Sequence, residues 1–245
     1  MNFTLFLYTA LSFSLFSFQN DNSYSGVITY YVQLIEDENL KKELQTSKFT
    51  SSVISNTLKN LKSLEFELKF NNNESVYFIK ENMSVDVSNS NYKSAKNIAG
   101  NELIYLNSKE NKKLVQKTFI GDKFLISDTL TRNWKITAEK KHINGYLCYK
   151  AQIILTPDKI NTSGKSITAW FTNEIPVSFG PKGYSGLPGL ILELHENNLV
   201  FTCSNIKLSK NNIDISAPTE GINISRTKYN EYILKKIQEY GFEKK

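Results

Sequence analysis

The chain has 245 residues, of which 40% are apolar and 22% are charged, a composition typical of globular proteins. This composition excludes collagen-like chains and coiled coils, and two Cys are too few for a disulfide scaffold. Lys and Arg together number 30 against 24 Asp and Glu, which gives a formal net charge of +6. The lysines are scattered in short runs without the interleaved aromatic residues that nucleic-acid binding favours, so we expect no nucleic-acid partner.

The N-terminal stretch from Met1 to Phe18 is apolar apart from small polar residues and contains no charged residue and no His. It is short for a membrane span, which needs about 20 predominantly apolar residues, and is typical of a secretory signal peptide. We therefore predict a signal peptide over 1–19 and a mature domain over 20–245, with an uncleaved anchor as the alternative. The mature protein is expected to be extracytoplasmic, in the periplasm, at the outer membrane or secreted, and without a stable transmembrane segment.

Strand patterns dominate the rest of the chain. Apolar and polar residues alternate, with Asn, Gly and Asp at the turns, in segments 24–36, 64–70, 74–80, 102–107, 112–119, 123–127, 134–139, 146–155, 166–172, 190–196 and 199–208. Residues 82–100 are polar and predict a surface loop or a weak edge strand. Apolar residues at helical spacing predict a long amphipathic helix from 38 to about 62 and a C-terminal helix at about 225–241.

These elements favour a mainly β (α+β) fold in a single domain. We expect a curved antiparallel meander sheet, or an incomplete barrel, whose concave face is covered by the long early helix. The C-terminal helix is the last element, with Ser225 able to cap its start and Gly241 its end.

The densest local signal is the segment 169–194, AWFTNEIPVSFGPKGYSGLPGLILEL, which holds three of the five prolines. In Leu187-Pro188-Gly189-Leu190, Pro and Gly suit the two central positions of a type II turn. Gly186 suits a positive φ or a close approach to a neighbouring group. The backbone here is therefore predicted to follow a specified path into the apolar strand 190–196.

The hexapeptide GLPGLI at 186–191, preceded by AWF, EIP and FGP, resembles the GLPGLI family of exported proteins from Gram-negative bacterial envelopes. The early GVITYYV strand, the NES turn at 73–75 and GYLCYKA at 145–151 extend the resemblance over about residues 26–210. This resemblance implies an envelope location but no established activity. The order of the elements is also similar to that of lipoprotein carriers of the LolA/LolB kind, whose incomplete barrels hold acyl chains.

Two interpretations of the Pro/Gly segment stay open. It is either a corner turn that closes the sheet over the core, or a binding region in which Leu187, Pro188 and Leu190 form an apolar lip. In the second case, Glu174 and Lys182 are polar anchors, and Trp170 is a binding wall rather than a core residue. The full candidate set for a ligand or partner is Trp170, Phe171, Glu174, Pro176, Phe179, Lys182, Gly186, Leu187, Pro188, Gly189 and Leu190.

No catalytic pattern stands out. His142 adjoins a turn, and Glu193, His195 and Glu196 suggest acid–base chemistry or a metal, but a third ligand and an HExxH motif are missing, which favours a solvated strand face. We therefore expect no metal, no cofactor and no enzymatic activity. A disulfide between Cys148 and Cys203 is an alternative to two separate buried thiols, and the thiols are favoured because the two strand-like runs are not adjacent in a simple meander.

The leading hypothesis is a non-enzymatic envelope protein that binds an apolar small molecule, a lipid or an extended peptide on a curved sheet. The alternative is a structural or assembly partner of an outer-membrane protein complex, joined through strand addition at a sheet edge. A hydrolase with an unfamiliar site at Glu193 and His195 is the weakest hypothesis.

Overall fold

The computed structural model describes residues 24–35, 48–81, 89–130, 133–155 and 165–239. The predicted signal peptide, the predicted helical turns over 38–47 and the C-terminal cap at Gly241 lie outside the described residues.

Twelve strands and three helices make up the described part of the chain. The strands are β1 (Ser25–Leu34), β2 (Glu65–Phe70), β3 (Glu74–Lys80), β4 (Leu103–Asn107), β5 (Lys112–Phe119), β6 (Asp122–Asp128), β7 (Lys135–Ile143), β8 (Tyr146–Leu155), β9 (Lys165–Thr172), β10 (Leu190–Glu196), β11 (Leu199–Ser209) and β12 (Ile222–Ser225). The helices are α1 (Lys48–Lys62), α2 (Ser90–Ala99) and α3 (Arg226–Glu239). The mainly β class is confirmed, and eleven of the strands follow the predicted segments closely.

All twelve strands belong to one open, mixed sheet in the order β12-β6-β5-β4-β3-β2-β1-β11-β10-β9-β8-β7. The sheet consists of two antiparallel meanders, β1–β6 and β7–β11, which are joined by pairing of β1 with β11. The predicted single antiparallel meander is therefore wrong in two respects. The chain order breaks between the two meanders, and β12 adds to β6 in parallel.

A short connection shows that this sheet curls back on itself. Ten strand positions separate β6 from β7, so at about 4.8 Å per strand a flat sheet would hold them roughly 48 Å apart. Residues 129–134 join them and can span at most about 25 Å when fully extended. The two ends of the sheet must therefore approach each other, which encloses one face.

The enclosed face carries the main hydrophobic core. Tyr30, Phe66, Ile126 and Phe201, from strands across the sheet, are at most 1% exposed and belong to one cluster. The helices α1 and α2 pack on each other and add Leu61, Tyr92, Ala95 and Ala99 to this cluster. A smaller cluster of Tyr105, Leu114, Leu125 and Ile215 lies on the opposite face, where segment 213–217 covers strands β4–β6.

Two elements differ from the sequence prediction. The predicted loop or edge over 82–100 contains helix α2, because Tyr92, Ala95 and Ala99 recur at helical spacing and are buried. The side chain of Asn89 caps this helix by accepting hydrogen bonds from the backbone of Asn91 and Tyr92. Strand β12 was not predicted, since four residues with little burial carry almost no periodic signal.

Both cysteines are free and buried, so the disulfide alternative is wrong for this structure. Cys148 lies in β8 and Cys203 in β11, and strands β9 and β10 separate them in the sheet. Burial raises the pKa of each thiol to about 11, so both stay protonated and act as small apolar side chains. None of the helices in the described ranges is long and apolar enough to cross a membrane.

Candidate functional site

The Pro/Gly loop, defined here as residues 173–189 between β9 and β10, folds back into the enclosed space. Ile175, Val177 and Phe179 are at most 3% exposed and join the main core. The backbone N–H groups of Leu190 and Ile191 donate to the carbonyls of Ile175 and Phe179 at 2.9 and 3.0 Å. The loop is therefore an internal part of the fold and not a surface excursion.

One glycine of the loop is required by close packing. A Cβ atom at Gly189 would lie 2.0 Å from the carbonyl oxygen of Thr172, so only glycine fits there. The predicted type II turn is wrong, because Gly189 does not have the positive φ that its third position needs. Gly186 does have a positive φ, of 95°, as predicted.

The predicted apolar lip does not form. Leu187 and Leu190 are 2% and 0% exposed and belong to the main core, because the loop turns their side chains inward. Pro188, Pro176 and Gly186 are exposed, and Gly189 is buried. This placement matches the corner-turn interpretation of the GLPGLI segment.

The other predicted site residues are divided between core and surface. Phe171 and Phe179 are each 1% exposed. Trp170 is half-buried on β9, and Lys141 Nζ lies 4.4 Å from its ring centroid. Glu174 is exposed, and its carboxylate accepts a hydrogen bond from the backbone N–H of Leu147 at 3.0 Å.

Lys182 is the one candidate anchor that points into an enclosed charged space. Lys182 lies in a 3-10 helix of one turn, Pro181–Gly183, and has a φ of 56°. The next residue, Gly183, lies so close to β4 that a Cβ atom would be 2.6 Å from Ile104 Cγ2. The turn thus lies against β4, while Lys182 Nζ lies 2.6 Å from Oε2 of Glu196 at the end of β10.

A cavity of about 280 Å³ opens at this point. We call it the charged cavity, because six of its ten lining residues are Lys, Arg or Glu. The lining residues are Glu102, Ile104, Lys113, Val115, Lys117, Lys182, Tyr184, Glu196, Arg226 and Tyr229. The lining residues come from strands β4, β5 and β10, from the Pro/Gly loop and from the first turn of α3. The site therefore exists only because the sheet curls.

Two of the four cations in the charged cavity are neutralised by carboxylates. Lys182 pairs with Glu196, whose other oxygen accepts a hydrogen bond from Tyr184 Oη at 2.9 Å. Arg226 Nε lies 2.9 Å from Asp128 Oδ2. These pairs leave the other two cations, both on β5, as the available positive charge.

Lys113 and Lys117 occupy alternate positions of β5 and therefore project from the same face as the core residue Val115. Both are half-buried, and neither forms an ion pair within the part of the chain that the structure describes. Burial lowers the pKa of Lys113 and Arg226 adds to this effect, whereas Asp128, Glu196 and Glu102 oppose it. The ammonium group of Lys113 is therefore poorly solvated, and its cross-strand neighbour Asp128 forms its ion pair with Arg226 instead.

Two buried oxygen atoms have no hydrogen-bond partner within the described residues: Oε2 of Glu102, which lines the charged cavity, and the hydroxyl of Tyr77. Burial raises the pKa of Tyr77 well above its usual value, and Glu102 and Glu196 contribute to the rise. Burial likewise raises the pKa of Tyr184, with a further contribution from Glu196. Both tyrosines therefore stay neutral. The Tyr184 hydroxyl lines the charged cavity and already donates to Glu196, so it retains only its capacity to accept a hydrogen bond.

A second ionic cluster lies on β10. Glu193 is 9% exposed, and its carboxylate contacts both His195 Nε2 and Lys141 Nζ, the latter at 2.6 Å. Burial acts to raise the pKa of Glu193, but hydrogen bonds from His195 and Lys141 outweigh it and leave that pKa lowered. Sequence reasoning placed Glu193 and His195 on one solvated face, and it missed Lys141 and the burial of Glu193.

This second cluster shows no metal geometry. Over the described ranges, no three His, Cys, Asp or Glu side chains come together in a way that could hold a metal ion. Oε1 of Glu193 instead contacts both Lys141 and His195, which is the arrangement of a structural ion pair.

Sequence reasoning found two residues of the charged cavity, Lys182 and Glu196, and missed Glu102, Lys113, Lys117, Tyr184, Arg226 and Tyr229. The available signal was the alternation Lys113-Val115-Lys117, two lysines on the same strand face as an apolar core residue. In a sheet with one solvated face, alternating lysines indicate that face. The curl of this sheet instead places the lysines of β5 on the enclosed face.

The two edges of the sheet are poorly suited to strand addition. The edge strand β7 is interrupted by a bulge between Ile136 and Lys140 and carries charged side chains along its length. The other edge, β12, has only four residues. Bulges, lysines and short edge strands are the features by which sheets avoid edge-to-edge pairing.

Comparisons with known proteins add a fold but no activity. A family model described as "Protein of unknown function (Porph_ging)" matches residues 156–193, a range that includes the Pro/Gly loop. No curated protein sequence matches the chain. Two solved structures of PNGF-II, in the P21 and C2 space groups, are similar at TM-scores of 0.53 and 0.51 and at 18% and 19% identity.

These similarities cover 87% and 86% of this chain but only 33% of the PNGF-II chain in each case. The chain thus spans about a third of the length of the protein that it resembles. At such identities the comparison shows a shared fold and carries no activity over.

Proposed function

We propose that this chain is a non-enzymatic ligand-binding protein that takes up a small anionic molecule in the charged cavity. The observation that carries the proposal is the pair of half-buried ammonium groups on β5, Lys113 and Lys117, which face the enclosed space without an ion pair among the described residues. A cation in such surroundings is destabilised unless a counter-ion reaches it. A carboxylate or phosphate in the cavity supplies that counter-ion.

The dimensions and the neutral groups agree with a small polar ligand. The volume of about 280 Å³ lies near the lower end of the range of roughly 300–1,000 Å³ that small-molecule sites occupy. The hydroxyl of Tyr184 and the carboxylate of Glu102 add hydrogen-bonding groups to the same wall. A compact molecule with one or two acidic groups and several hydroxyls matches this lining, whereas an acyl chain does not.

The non-enzymatic assignment rests on how the acidic groups are used. Glu196 is held by Lys182 and Tyr184, and Glu193 by His195 and Lys141, so these two carboxylates already have close donors. Glu102 differs, because its Oε2 has no partner among the described residues, and it serves in this proposal as a hydrogen-bond acceptor for the ligand. Because Glu193 and Glu196 are already held in ion pairs, they favour a binding role for the protein over a role in proton transfer. The hydrolase hypothesis remains the weaker alternative.

The compartment and the family are part of the same proposal. The uncharged N-terminal stretch supports export to an extracytoplasmic compartment, and the unbroken GLPGLI sequence supports membership of the GLPGLI family. The analogy with lipoprotein carriers remains part of the proposal, in which the curled sheet holds its ligand on the enclosed face. The charged lining favours an anion over the lipid that this analogy suggests.

Calorimetric titration of the mature chain tests the proposal. The probes are inorganic phosphate, citrate and glucuronate, with glucose as the uncharged counterpart of glucuronate. We expect at least one anion to bind, glucose not to bind, and Lys113→Gln to weaken anion binding by tenfold or more, since a hydrogen bond to a charged group is worth about 1.5–3 kcal/mol. Higher salt should weaken the same binding only modestly, because the cavity is partly shielded.

The matched control is Lys112→Gln, which removes an equal charge from the exposed neighbouring position on β5. It should leave anion binding unchanged. Equal affinities for the two variants, or the failure of all three anions to bind the mature chain, would refute the proposed function.

A further inference from the structure

A second enclosed space lies on the other side of the Pro/Gly loop. This cleft has a volume of about 360 Å³ and is lined by Ser108, Leu130, Ser178, Phe179, Ser185 and Gly186. We call it the Ser185 cleft. It forms where the β6–β7 connection, which holds Leu130, meets the β4–β5 turn at Ser108 and the loop, so it too depends on the curl of the sheet.

Among the residues that the structure describes, those lining the Ser185 cleft carry no ionisable side chain. Phe179 is 1% exposed and Leu130 is partly buried, and both pack on the main core. Ser108 Oγ donates to the carbonyl of Asn73 at 3.0 Å, and Ser178 Oγ accepts from the backbone N–H of Gly186 at 2.7 Å. The cleft therefore differs in chemistry from the charged cavity, and its outer serines are already engaged.

Ser185 differs from Ser108 and Ser178 in its hydrogen bonding. The residue is 2% exposed, and its hydroxyl has no hydrogen-bond partner among the described residues. The carbonyl of the same residue is fixed by Trp134, whose indole Nε1 donates to it at 2.7 Å. An orphaned hydroxyl in a buried position is unfavourable and rare in native proteins, so its retention beside an enclosed space calls for a partner.

We propose that the Ser185 cleft is a second binding site, for a small neutral molecule with an apolar body and one hydrogen-bonding group. Leu130 and Phe179 contact the apolar body. Rotation of the Ser185 side chain about its Cα–Cβ bond pairs the hydroxyl with the polar group of the ligand. This site is independent of the anion site, because the consecutive residues Tyr184 and Ser185 line the two spaces separately.

Trp134 is a reporter for occupancy of the cleft. The chain contains two tryptophans, Trp134 and Trp170, so Trp170→Phe leaves a single indole whose N–H contacts Ser185. Titration of this variant with cyclohexanol should give a saturable change in Trp134 fluorescence. Methylcyclohexane, of similar size but without a hydroxyl, should bind more weakly.

Two substitutions in the Trp170→Phe background complete the test. Ser185→Ala should weaken cyclohexanol binding by roughly three- to tenfold, the range for one neutral hydrogen bond, and leave methylcyclohexane unaffected. Leu130→Phe, which fills the cleft from its partly buried wall, should abolish saturable binding of both. The exposed Ser127→Ala is the control and should change neither.

The outcomes separate this inference from the proposed function. Cyclohexanol binding that survives Lys113→Gln and is weakened by Ser185→Ala supports an independent neutral site. Fluorescence that never saturates, or affinities that are the same with and without the Ser185 hydroxyl, overturns the second site and leaves the anion titrations unaffected.

Discussion

The buried position of Leu187 gives the sharpest test of how the GLPGLI segment works. If the side chain packs in the core, Leu187→Ala removes three carbon atoms from an environment that is 2% exposed. At about 0.8 kcal/mol for each buried methylene this loss is about 2.4 kcal/mol before the remaining cavity is counted. With the cavity included, the expected loss in the free energy of unfolding is about 3–5 kcal/mol.

Urea unfolding of the mature chain, followed by far-ultraviolet circular dichroism, measures this loss as a shift in the midpoint at unchanged slope. Leu187→Met preserves volume and should cost less than about 1.5 kcal/mol. Ile154→Ala, at a position that is 83% exposed, is the matched control and should change stability by less than about 0.5 kcal/mol.

A loss below about 1 kcal/mol for Leu187→Ala, close to that of Ile154→Ala, would contradict the packing argument and restore the exposed lip. Leu187→Asp gives a second check. A buried, unpaired carboxylate should leave the chain largely unfolded, because the penalty approaches the whole stability of a typical domain, about 5–15 kcal/mol.

Three further outcomes are expected. Ile120 is a β-branched residue with a φ of 48° at an exposed turn, so Ile120→Gly should raise the urea midpoint by the equivalent of about 1 kcal/mol, and a fall would contradict the strain. Gly189→Ala should prevent recovery of folded protein, whereas Gly145→Ala, with open space around its Cβ, should cost only about 1 kcal/mol; equal stabilities would disprove the close approach. The lowered pKa of Glu193 stabilises the fold above the unfolded pKa of about 4.5, and this stabilisation disappears as pH falls through the folded value. Between pH 6 and pH 3, the urea midpoint should therefore fall more steeply for the native chain than for Glu193→Gln. Parallel plots of midpoint against pH for the two proteins would show that ionised Glu193 does not stabilise the fold.

Much of the strand content could be predicted from the sequence, because alternation and turn residues are local signals. Strands β3, β5, β8 and β10 have the predicted bounds to the residue. Helix α2 was missed because its buried stripe consists of Tyr92, Ala95 and Ala99 among Asn, Ser and Lys, which lowers the apparent hydrophobicity. Alanine packs well in a core, but its small side chain adds little to the hydrophobic periodicity from which a buried helix face is predicted.

The candidate site was much harder to predict. The strand β5 shows two lysines at alternate positions, a pattern that is the same for a solvated face and for an enclosed one. The distinction depends on the order of strands in the sheet, and above all on the pairing of β1 with β11 across some 170 residues of chain. Local periodicity contains no information about that pairing. Lys182 was identified only because it lies within a segment rich in Pro and Gly.

The pairing of β1 with β11 also governs how the chain can assemble. The meander β1–β6 can form as soon as its residues are available. One edge of β1 then stays unpaired until β11, which begins at Leu199, has formed. Such long-range closure slows folding, and the exposed edge Ser25–Leu34 is a template for pairing with other chains in the meantime. Export in an unfolded state, N-terminus first, is part of the proposed function, and it would expose each chain to this interval. High concentrations of half-formed chains are therefore expected to lower the yield of the native fold.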